Sequence, residues 1–159
     1  MFPHDTAPAA SAARTRTGLP DWHDLLAAFG GHRGTRPDDH PVVRSAARLA
    51  ELHRNRRENP GHASEIDCDR SELIALIDNW ILLEFGPAPD RHPSSPGGFV
   101  DRMAAAQVRA NRLLHTSDDL SGVLVHTAWY RLAALADGWT DFVDAITHRD
   151  RPVPRQRVS

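Results

Sequence analysis

The sequence predicts an all-α protein: an antiparallel bundle of four long helices plus a short N-terminal helix. Apolar residues recur at three-four spacing through four long stretches. Proline and glycine cluster at the breaks between those stretches. No alternating run with a tight turn signals a strand or hairpin.

Residues 1–18 are rich in Ala, Ser, Thr and Pro without periodicity, and a disordered arm is expected there. Asp21 is a natural N-cap for a short helix to Phe29, with Trp22, Leu25, Leu26 and Phe29 on one side and Gly30-Gly31 as its stop. Pro41 suits a first helical position. From it to Glu58, Val42, Val43, Ala46, Leu49 and Ala50 form a stripe that runs on through His53 and Arg57. Asn59-Pro60-Gly61 breaks the chain sharply.

Ser64–Phe85 holds the densest apolar run without Gly or Pro. Ser64 is expected to cap it, and Glu65, Asp67 and Asp69 suit the positive end of its dipole. This helix is expected to be the one the others pack on. The stretch Gly86–Gly98 reads as loop, and Ser95-Pro96 as cap and first turn of the next helix. The stripe of that helix is Val100, Met103, Ala104, Val108 and Leu114, joined by Gln107 and Asn111. Thr116–Ser121 turns the chain into a last helix running to about His148, with a possible bend at Gly138. The bundle domain is therefore 19–148, and 149–159 is a basic tail expected to be disordered.

At 159 residues the chain makes one domain with room for a real core. A formal net charge of -2 gives no reason to expect a nucleic-acid partner. All the basic residues are Arg, which excludes lysine Schiff-base chemistry. Cys68 is the only cysteine, so no internal disulfide or thiolate cluster forms. No apolar run approaches the roughly 20 residues of a membrane span, and the first residues lack a signal-peptide core. A cytoplasmic location, without membrane association, is the expectation. No cofactor is expected, and no metal: the histidines fall outside paired helical ligand spacing, and the Glu-x-x-His motif of di-iron bundles is missing.

Arg70, the Ile77-Asp78 pair and the stretch Pro96-Gly97-Gly98-Phe99-Val100-Asp101-Arg102-Met103 resemble a bacterial family catalogued as domain of unknown function 4254. The resemblance spans about Val42 to His115. Glu51-Leu52-His53-Arg54-Asn55 stands where that family carries an acidic, Trp-containing segment. The resemblance implies an all-α fold and no particular activity.

Burying an unpaired ion costs several kcal/mol, so polar groups inside apolar stripes call for an explanation. His53, Arg57 and Arg70 interrupt their stripes, as do Gln107 and Asn111. In an antiparallel bundle the end of one helix lies beside the start of the next, so His53, Arg70 and Asn111 are expected to converge at one level, with His115 at the same end. Arginine, amide and imidazole donors there would suit an anionic small metabolite. His53 or His115 would then be the catalytic acid or base, and Arg57, Arg70, Gln107, Asn111, Asp78 and Asp101 the ligand-binding groups. Lyase, cyclase or isomerase chemistry fits such a donor set. The alternative is a non-catalytic homodimeric interaction protein. Its buried polar layer would be structural, with Arg70 answered by Asp67, Asp101 or another carboxylate.

Overall fold

The computed structural model describes residues 18–88, 95–116 and 122–149. The expected arm, the tip of the last inter-helix turn and nearly all of the tail lie outside these. Among the described residues there are five α-helices and no strand. They are α1 (Trp22–Phe29), α2 (Pro41–Glu58), α3 (Ala63–Phe85), α4 (Pro96–Thr116) and α5 (Val123–Arg149). A single 3-10 turn, Pro60–His62, precedes α3. No described helix is long and apolar enough to cross a membrane.

The helix starts follow local chemistry. Asp21 and Asp24 form a reciprocal capping box on α1. Pro41 opens α2, and the His40 Nδ1 accepts the Val42 N–H at 3.1 Å. Ser64 is not a cap: the 3-10 turn feeds straight into α3, which begins at Ala63 without a side-chain cap. Gly86 ends α3 with φ at 84°, a backbone region that an L side chain adopts with difficulty. At α4 the Ser95 hydroxyl accepts the Gly98 N–H at 3.0 Å.

The expected central helix is not central. α4 occupies the middle and packs against all four other helices. α3 packs on α2 and α4, while α5 covers the other side of α4 and reaches α1. Only Ile66, Ile77 and Ile81 of α3 are buried, and Leu76, Leu82 and Leu83 are exposed. Small residues give α4 its place. A side chain at Gly97 would collide with the Ile74 carbonyl. Gly138 on α5 likewise lets Phe99 approach, where a Cβ would lie 2.9 Å from its ring; α5 runs continuously through it. The core joins Leu25, Phe29, Leu49, Met103, Trp139 and Phe142. Trp139 is fully buried and its Nε1 donates to the Pro20 carbonyl at 2.9 Å, pinning the entry to α1.

α4 is not flush with α3. Gly97 lies against Ile74 and Asp78, seven to eleven residues before the end of α3, a displacement of roughly 10–16 Å. The last turns of α4 therefore run past the start of α3 and the end of α2. They pair there with the first turns of α5.

Candidate functional site

The polar layer lies where α2, α3 and α4 meet, and its centre is Asp101. The Asp101 carboxyl sits in the first turns of α4 among the buried Val100, Met103 and Ala104, and is itself buried. Arg70 of α3 reaches it with two parallel hydrogen bonds, Nε to Oδ1 at 3.1 Å and Nη2 to Oδ2 at 2.6 Å. His53 of α2 places Nε2 2.8 Å from Oδ1. The third guanidinium nitrogen of Arg70, Nη1, donates to Asp67 Oδ1 at 2.9 Å. Asp67 in turn accepts Nε and Nη2 of Arg56 at 2.9 and 3.1 Å, across the turn between α2 and α3.

His53, Asp101, Arg70, Asp67 and Arg56 thus form one continuous chain of charge-assisted contacts across three helices. It grades from interior to surface. Asp101 has a side-chain exposure of 9%, His53 12%, Arg70 23% and Asp67 43%. Burial by itself would raise the Asp101 pKa. The hydrogen bonds and charges of His53 and Arg70 outweigh it and hold the carboxyl at about 2. The Asp101 contacts push Arg70 above its ordinary value. Bonding to Arg56 and then Arg70 lowers Asp67. Asp101, Arg70 and Asp67 are each shifted toward the charged form by the partners they bond.

Of the residues singled out in the sequence, His53, Arg70 and Asp101 come together. Asp78 has another contact. Its Oδ1 accepts the Gly97 N–H at 2.6 Å and fixes the start of α4 on α3. Arg57, Asn111 and His115 are exposed, and Gln107 is half-buried outside the chain of contacts. The stagger of α4 explains this. Flush helices would put Asn111 beside Arg70, but the displaced helix presents Asp101 there and carries Asn111 and His115 beyond the neighbouring helices. Arg56 escaped notice in the sequence. Its signal was the spacing to Asp67 across Asn59-Pro60-Gly61, which returns the chain on itself.

A guanidinium bonded to two carboxylates has few donors left for a ligand, and its partner Asp101 would repel an anion. A groove of about 640 Å³ lies elsewhere, on the outer side of the α2–α3 pair, floored by Leu73, Leu76, Trp80 and Leu83. Among the described residues no group of three or more His, Cys, Asp or Glu side chains is placed to hold a metal ion. Against family models, curated proteins and solved structures, the chain finds no match.

Proposed function

We propose that the protein is a non-catalytic interaction protein that works as a homodimer, and that its buried polar layer fixes helix register. The carrying observation is a contrast between inside and outside. Inside, Arg70 is bonded to Asp101 and Asp67. Outside, Leu76, Leu82 and Leu83 stand 59%, 51% and 77% exposed on the helix with the densest apolar run. Clustered exposed leucines favour a covered face. A buried ion pair shared by three helices is well suited to choosing one register among several.

Two measurements test this together. Sedimentation equilibrium should give twice the chain mass of 17.6 kDa. Thermal-shift screening against carboxylate and phosphate metabolites should give no saturable stabilisation. A saturable shift that disappears in Arg70→Gln, with that variant shown folded by circular dichroism, would instead support binding or turnover of an anionic metabolite at the polar layer.

A further inference from the structure

The homodimer reading leaves open which surfaces meet, and α3 carries a pattern that addresses this. Glu65, Asp69, Glu72, Leu76, Asn79 and Leu83 are all exposed, and their spacings alternate four and three. That is the seam of a helix that packs along another helix. The seam is divided. Its first half is acidic and its second half is leucine around one amide.

The groove beside it is complementary. Its apolar floor is the flank of the same seam, and its other wall is the start of α2 with the turn before it, which supplies Arg36, Arg44 and Arg48. Among its described lining residues there is no carboxylate. α2 runs antiparallel to α3, as the Arg56–Asp67 pair fixes. Arg44 therefore stands near the level of Asn79, and Arg36 near the C-terminal end of α3.

From this self-complementarity, and resting on the homodimer reading, we infer that the groove takes α3 of a second copy, antiparallel, about a twofold axis beside Asn79. In that register Leu76 of each copy meets Leu83 of the other. The two Asn79 amides face each other across the axis, a polar pair that penalises slipped registers. The acidic half of each α3 then passes the partner's leucines. Glu72 of the second copy arrives beside Arg36 and the start of α2. A parallel pairing would set Glu65, Asp69 and Glu72 against their own copies and bring no carboxylate to Arg36; Arg48 is already paired with Glu51 of its own chain at 3.0 Å. The interface is isologous, so each contact occurs twice.

The test uses the full chain with Cys68→Ser as background, since Cys68 is exposed on the same helix. Under a mild oxidant, Asn79→Cys should form a covalent dimer. Leu76→Cys and Leu83→Cys should cross-link when mixed and poorly when alone. Thr147→Cys, exposed on α5, should not cross-link. Arg36→Glu and Glu72→Arg should each weaken the dimer at least tenfold, and the double variant should recover most of that loss. Both positions are exposed, so folding is not at stake. A wild-type protein that sediments as a dimer while Asn79→Cys fails to cross-link overturns the α3 arrangement and leaves the homodimer standing. A wild-type protein that stays monomeric to high concentration overturns both.

Discussion

Arg70 and Asp101 meet through two parallel hydrogen bonds that cross from α3 to α4, the shorter at 2.6 Å. The pair links α3 to the central helix where burial makes an unpaired charge costly. Its value is therefore asymmetric. Removing one partner leaves an ion stranded, whereas removing both leaves only a packing problem.

That asymmetry gives the first prediction. Asp101→Asn turns an amide NH₂ toward the guanidinium and should destabilise the fold by about 3 kcal/mol, or roughly 4 °C of Tm per kcal/mol. The double variant Asp101→Leu with Arg70→Met should be more stable than Asp101→Asn alone. Urea unfolding of the variants, compared at constant m-value, checks both statements. If the double variant is the least stable, the layer contributes directly to stability and not mainly to register.

The helices were legible because their ends are local. Asp21, Pro41 and Ser95-Pro96 start helices by chemistry contained within a few residues. The centre of the fold was not legible, because apolar density does not measure burial. α3 is the richest in leucine and isoleucine, yet α4 holds the middle through Gly97, Ala104 and Ala110, whose small size permits close approach. Arg70 and His53 stood out as polar groups inside stripes. The sequence offers Asp101 as one carboxylate for Arg70, but its burial depends on where α4 lands along α3. That landing is marked by the Asp78–Gly97 contact, and no periodicity encodes it.

Trp139 supplies a prediction about the N-terminal helix. Its indole N–H is the partner of the buried Pro20 carbonyl, so Trp139→Phe keeps most of the packing and orphans that acceptor. The expected cost is about 1–2 kcal/mol. It should be local as well as global: amides of α1 should exchange faster than those of α2. Uniform acceleration throughout the protein would contradict the pinning role.

Gly97 tests the stagger. Any Cβ there meets the Ile74 carbonyl, which is backbone and cannot swing away. Gly97→Ala should destabilise by about 2 kcal/mol or more, through overpacking and loss of the Asp78 bond. Asp78→Ala, which loses only the bond to the Gly97 N–H, should cost about 1 kcal/mol. The order Gly97→Ala worse than Asp78→Ala, measured by chemical denaturation, follows from contact between the α3 and α4 backbones. The reverse order would place the importance in the carboxylate.

Asp101 also sets an acid limit. Its carboxyl is held down to about 2 in the folded protein, against an ordinary value of 3.8. A group whose folded pKa is depressed stabilises the fold above its unfolded pKa, and the contribution fades as pH falls through the folded value. The fall should therefore begin near pH 5 and be complete near pH 1, below both values, with an amplitude of about 2 kcal/mol. Other carboxylates titrate in the same window, so the informative quantity is a difference. The stability gap between wild type and Asp101→Asn should be widest at pH 6–7 and should narrow steadily toward pH 2. A gap that stays constant across that range would mean that Asp101 is not the ionised centre of the layer.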